Sequence, residues 1–365
     1  MCIRDRSQSI RFAGQLSGWT IWNHSGEWQA LFGLRYIPEL SWEMELPRDM
    51  ALSVEAAANA WGTTGTKKWK HFDWQGDIKP YRLWGRWTLP QFEMRLGLQK
   101  ISFGSAAMLR PLMWFDRIDP RDPLQLTDGV YALLFRYFFL NNANIWFWIL
   151  YGNDDPRGLD IIPSSGKKPE FGGRIQSPLF QGEIALTVHH RMADTNRFLG
   201  GVSLGLDEIS ELKFGLDGKW DWVIGFWFES MLLKLGKPLL DFTYQKALTF
   251  GMDYTFRLGN GLHALAEHLI WSSSDALWTE GESIELTALS LDYPLGFSDF
   301  LTGMVYYDWK NKNLYRFISW RHASDAFTLH VIGFWNPADL LFYQAFYDSN
   351  PFAGKGFQIM LVYNH

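Results

Sequence analysis

Five arginines are spaced so that an extended chain would gather their guanidiniums on one surface. Arg82 and Arg86 flank Trp84 at alternate positions, Arg95 lies between Glu93 and Gln99 with the same parity, and Arg136 and Arg174 recur in later segments of similar character. Alternate side chains of a strand share a face, so the spacing predicts an inner wall of Arg82, Trp84, Arg86, Glu93, Arg95, Gln99, Arg136 and Arg174. A planar guanidinium binds carboxylates and phosphates through paired N–H donors. Such a wall would favour anionic solutes mildly, and Trp84 and Trp227 could add a stacking track for sugars. Between the segments around Arg95 and Arg136 lies a 104–128 connector. It carries Arg110, Asp116, Arg117, Asp119, Arg121, Asp122 and Asp128 among Pro111, Pro120 and Pro123. The expectation is that this connector folds inward, narrows a pore and turns its acids toward the arginines, creating a transverse field.

Other chemistry finds little support. His189 and His190 are adjacent, so on a strand they point to opposite faces and cannot share a metal. His263 and Glu267 share a face without an obvious third ligand. No Gly-x-Ser-x-Gly turn or phosphate loop occurs. A Ser/His pair of the kind found in barrel-embedded lipid hydrolases could draw only on Ser230 or Ser319 with His322. No cofactor or metal is expected, and without a block of five or more basic residues nucleic acid is a poor partner.

The elements that would hold the arginines are strands. In 248–258, Leu248, Phe250, Met252, Tyr254, Phe256 and Leu258 alternate with small or polar residues, and Gly259-Asn260-Gly261 ends the run as a tight turn. A run of about eleven residues, tilted, crosses a bilayer core. Similar runs are expected at 10–22, 28–37, 51–61, 81–89, 92–103, 130–140, 145–152, 171–179 and 183–191. They continue at 212–220, 222–232, 262–271, 284–293, 300–309, 314–321, 327–335 and 357–365. Doubtful points are a boundary near Asp217-Gly218 and the stretch 340–347. The fold class expected is all-β: one transmembrane antiparallel barrel of 16–18 strands over 7–365. Long connectors at 62–78, 153–169, 192–210, 272–282 and 336–356 alternate with tight turns at Pro90-Gln91, Asn141-Asn142 and 259–261, as two unlike rims require.

Composition agrees. Trp 20, Tyr 14 and Phe 28 make 17% of the 365 residues aromatic, and the net charge is -5. A barrel uses aromatics as girdles at both membrane interfaces. The mean hydropathy of -0.15 suits a wall that is apolar outside and polar inside. No apolar stretch approaches the roughly 18–20 residues of a transmembrane helix. Phe357, Ile359, Leu361 and Tyr363 alternate to the end of the chain, resembling the closing strand read by outer-membrane assembly machinery, although His365 stands where an aromatic residue is usual. Met1-Cys2-Ile3-Arg4-Asp5-Arg6 resembles translated sequencing adapter. The expectation is that these six residues are foreign and that a signal peptide has been lost upstream.

Arg95-Leu96-Gly97-Leu98-Gln99-Lys100-Ile101-Ser102-Phe103-Gly104 and the acid- and proline-rich 114–123 resemble stretches of a bacterial porin family related to the alginate-export barrels. The run 12–19 is family-like as well. Leu98 stands where that family carries arginine. The resemblance covers under a tenth of the chain. It implies a Gram-negative outer-membrane channel for small hydrophilic solutes, surrounded by lipid and possible as a homotrimer. The competing readings are a barrel enzyme acting on lipids and a soluble, Trp-rich carbohydrate-binding β-protein.

Overall fold

The computed structural model describes residues 8–67, 71–160, 162–197, 208–239, 242–279, 281–337 and 352–365. The adapter-like residues and the stretch 340–347 lie outside them. Period-2 sequence becomes β1 (Gln8–Ser25), β2 (Glu27–Leu46), β3 (Met50–Lys67), β4 (His71–Leu89), β5 (Phe92–Gln99) and β6 (Val130–Phe138). Next come β7 (Asn144–Leu150), β8 (Glu170–Leu179), β9 (Gly182–Asp194), β10 (Glu208–Asp221), β11 (Gly225–Leu239) and β12 (Phe242–Phe256). The last six are β13 (Leu262–Ser274), β14 (Glu282–Pro294), β15 (Asp299–Asp308), β16 (Asn313–Ala323), β17 (Phe327–Trp335) and β18 (Lys355–Asn364). Each pairs antiparallel with its chain neighbours, and β18 closes on β1 from Gln15↔Asn364 to His24↔Lys355. The result is an 18-stranded closed barrel, at the upper end of the expected count. Closure leaves no free sheet edge in the circuit, which is what lets strands cross lipid.

The alternation fixes which face meets lipid. Phe250, Met252 and Phe256 on β12 and Phe357, Ile359 and Leu361 on β18 are exposed, whereas Ala247, Thr249 and Gly251 on the opposite parity of β12, and Gln358, Met360 and Val362 on that of β18, are buried. A belt of exposed large apolar side chains around the whole circumference has lipid as its natural solvent.

The two rims differ. One carries only short turns, at 47–49, 90–91, 139–143, 180–181, 222–224, 257–261, 295–298 and 324–326. The other carries the 100–129 and 151–169 connectors. Strand length departs from expectation on both sides of this second rim. The stretches 62–67 and 71–78, expected as a connector, extend β3 and β4 instead. Threonine and aromatic residues favour strands there, and beyond the bilayer nothing imposes the apolar alternation that marked the rest. Conversely, β5 stops at Gln99 rather than running to Phe103, because Ile101 and Phe103 join a packed core inside the barrel. That core unites Leu109, Leu112 and Trp114 of the connector with inward Leu134 of β6, Trp148 of β7, Leu233 of β11 and Leu269 of β13.

Candidate functional site: an arginine cluster beside an inward loop

The 100–129 connector crosses the barrel interior and is seated on the opposite wall. Glu229 of β11 accepts the backbone N–H groups of Ala106 at 2.7 Å and Leu112 at 3.1 Å. Glu267 of β13 accepts those of Ala107 (2.7 Å), Met108 (2.9 Å) and Leu109 (2.6 Å), together with the indole N–H of Trp227 (2.9 Å). The Thr249 hydroxyl donates to the Leu109 carbonyl at 2.8 Å. Gly104 is needed where the chain first meets this wall. Its φ is +97°, and a Cβ there would sit 2.2 Å from Glu229 Oε1. Sequence reasoning missed Glu229 and weighed Glu267 only as a metal ligand beside His263. Their only signal is an acid at an inward position of an otherwise apolar strand.

The 151–169 connector packs on the first. Arg117 donates to the Gly158 carbonyl at 3.3 Å. Beneath it, cations and acids are matched. Arg157 bonds Glu170 at 2.7 Å, Arg191 bonds Glu211 at 2.5 Å and Asp160 at 3.0 Å, and Lys213 pairs with Asp160 and with Glu211. His189 lies inside, its Nδ1 accepting from the Trp148 indole at 3.2 Å and its Nε2 3.1 Å from Glu170. His190 faces outward to Ser210. Arg174 belongs to this sealed group. It is 4% exposed and holds both oxygens of Asp217, at 2.6 and 2.8 Å.

The charges of the 104–128 connector do not face the arginine wall as expected. Arg110 pairs with Asp116 at 3.2 Å and Arg121 with Asp119 at 2.6 Å, both within the connector. Arg121 also lies over the rings of Phe317 and Phe352. Asp122 accepts the N–H groups of Leu124 (3.0 Å) and Leu126 (3.4 Å) of its own turn, and burial raises its carboxyl above the ordinary carboxylate range. Asp128 meets Lys79 at 2.7 Å. Local pairing wins because a buried charge loses hydration and must be compensated at short range.

What is left of the predicted wall is a tighter cluster near the short-turn rim. Arg86, Arg95 and Arg136 surround one carboxylate, Glu93, at 3.9, 3.2 and 3.6 Å. Arg95 and Arg86 lie 4.8 and 5.5 Å from the Trp84 ring, and Arg136 lies 3.9 Å from that of Trp146. Indole faces hold the flat guanidiniums by cation–π contact. Cross-strand register explains the grouping: Arg86 opposes Arg95, and Glu93 opposes both Thr88 and Arg136. Three cations share one acid here, with Glu55 opposite Trp84 as the next carboxylate. Arg82 stands apart, buried and donating to the Thr127 and Tyr81 carbonyls. Gln99 is fully buried, donating to the Ala132 carbonyl at 2.9 Å, so it lines no open surface. Leu98, which by its parity opposite to Glu93, Arg95 and Gln99 should face lipid, is buried after the φ of +123° at Gly97 breaks the alternation. Trp227 is buried against Glu267 and offers no sugar a face.

Acids oppose the cluster from the barrel itself. Asp253 of β12 and Asp292 of β14 flank His263 of β13, at 2.9 and 3.6 Å. These strands lie across the circuit from β5: β13 is eight steps away one way and ten the other. Both groups sit within about three residues of the short-turn rim. The Ser/His pairs considered for a hydrolase are not brought together: Ser319 has the inward parity of Phe317, whereas His322 has the outward parity of Trp320 and meets Asp299 at 3.0 Å, and Ser230 lies on β11, five strands away from the β16 that carries His322.

No family model matches the chain, and no curated protein matches it in sequence. Solved structures do match in fold. Pseudomonas aeruginosa OccK7 (OpdD) aligns with a TM-score of 0.57 at 9% identity, covering 98% of both chains. OmpT of Vibrio cholerae, an outer-membrane protein in its trimer form, aligns with a TM-score of 0.56 at 11% identity, over 98% of this chain and 100% of that one. The anion-selective porin from Comamonas acidovorans gives 0.50 at 12% identity, over 98% and 100%. The barrel described above is thus similar in architecture to outer-membrane porins.

Proposed function

We propose that this protein is an outer-membrane channel of a Gram-negative bacterium that passes small hydrophilic solutes and prefers anionic ones, including acidic sugars. The observation that carries the reading is the cluster of Arg86, Arg95 and Arg136 around the single carboxylate Glu93, inside a closed barrel with an apolar exterior. Held in a partly desolvated lumen, an excess of guanidinium attracts anions and slows cations. Asp253 and Asp292 across the lumen complete a transverse field. This field resides in the wall, and the inward connector narrows the passage without supplying its charge. The likeness to porins supports the channel, and an assembly of three copies, as in one neighbour's trimer form, fits the same reading. The alternating C-terminal strand β18 is the segment that the barrel-assembly machinery would engage. The test is reconstitution of the purified protein in planar bilayers, with reversal potentials measured in a salt gradient and conductance blocked by glucuronate and by glucose. Anion selectivity, with stronger block by the uronate, supports the proposal. Absence of channels, or cation selectivity, contradicts it.

A further inference from the structure

The seat of the inward connector has a chemistry of its own. Five backbone N–H groups of 106–112 converge on two carboxylates of the opposite wall, and one indole N–H joins them. Neither Glu229 nor Glu267 is within salt-bridge distance of a cation among the described residues. The charged groups that act most strongly on Glu229 are Arg110 of the connector and Asp217 of β10, while Thr249 is its neighbour on β12. Glu267 lies beside Gly251 of β12 and Ala288 of β14, and its charge acts on the Tyr306 phenol of β15. All four oxygens of the two carboxylates are thus engaged as acceptors, so a proton on either group must displace at least one of these bonds. An ionised carboxylate accepts several N–H bonds and strengthens each by its charge, whereas protonation turns one oxygen into a donor and discharges the rest.

We propose that Glu229 and Glu267 are the positioning residues of the constriction, forming a two-carboxylate clasp whose neutralisation frees 104–112 from the wall and widens the passage. This rests on the reading of the connector as a constriction. Gly104 is part of the device, because only a residue without Cβ can pass so close to Glu229. The geometry also accounts for the run Ser105-Ala106-Ala107, whose small side chains leave the backbone N–H groups free to reach the carboxylates.

The test is single-channel recording of the full-length protein across pH, with Glu229→Gln, Glu267→Gln and the double variant. Wild-type conductance is expected to rise on acidification. Compared with the wild type at a pH high enough to ionise both carboxylates, the double variant is expected to show a conductance raised on the order of twofold, because a wider neck carries more ions, and to lose the pH response. Wild-type conductance with a wild-type pH profile in the double variant overturns the clasp. Folding is checked by heat-modifiable mobility. Where the glutamine variants do not fold, Gly104→Ala decides: its Cβ collides with the Glu229 carboxylate and displaces the loop while leaving both acids in place, and unchanged conductance overturns the proposal. Replacing 104–128 with a short Gly-Ser linker separates the two layers of inference. No change on replacement removes the constriction reading itself. A rise on replacement without one in the clasp variants removes only the clasp.

Discussion

Two groups of inward arginines, one on β4–β6 and one on β8, β9 and the connector before β8, have opposite electrostatic circumstances. Arg157, Arg174 and Arg191, with Lys213, are sealed under the inward connectors and matched by Glu170, Asp217, Glu211 and Asp160. Arg86, Arg95 and Arg136 share Glu93 at longer distances, and their side chains keep partial access to the lumen. The first group holds connectors to the wall. The second is left with unmatched charge, and unmatched accessible charge is what a passing ion feels. On the proposed reading, the contrast separates arginines that build the barrel from those that would select among solutes.

The largest effect should come from breaking the matched group. Arg174→Ala strands the Asp217 carboxylate in a buried site, a loss of about 3–5 kcal/mol. It should lower the temperature at which the folded, heat-modifiable band is lost, while leaving the ion selectivity of the surviving channels unchanged. Phe250→Arg on the lipid face tests the frame that both groups share. An arginine near the bilayer midplane costs roughly 2–4 kcal/mol, measurable as a lower urea midpoint for refolding into vesicles. Within this second group, Glu93→Gln removes the one carboxylate in contact with all three guanidiniums and should raise the anion-to-cation permeability ratio without a comparable stability loss. The smallest effect belongs to the opposing wall. Asp253→Asn with Asp292→Asn should raise the same ratio less than Glu93→Gln does, since these acids act across the lumen rather than in contact.

Much of this division was hidden from the sequence for definite physical reasons. Faces were legible, because period-2 alternation in segments such as 248–258 and 357–363 leaves one assignment compatible with lipid. The inward placement of Arg86, Arg95, Arg136 and Arg174 follows from that parity. Partners were not legible, since pairing depends on register between distant strands. Asp217, which neutralises Arg174, lies forty-three positions further along the chain. Glu229 and Glu267 look like ordinary lumen acids until the connector is seen lying on them. The inward apolar side chains of β6 and β7 read equally well as buried or as lipid-facing when the packed loop is unknown. The end of β5 at Gln99 was misplaced for the same reason: Ile101 and Phe103 continue the alternation but serve the inner core.

The claim that accessible, unmatched guanidinium sets selectivity is tested most directly by one reversal-potential measurement. Wild type and the variant Arg86→Gln/Arg95→Gln/Arg136→Gln are compared in the same salt gradient at low ionic strength, where screening is weakest. Anion preference in the wild type that is lost or reversed in the triple variant, with the folded band intact, is the result predicted here. An unchanged reversal potential in the triple variant would contradict the account.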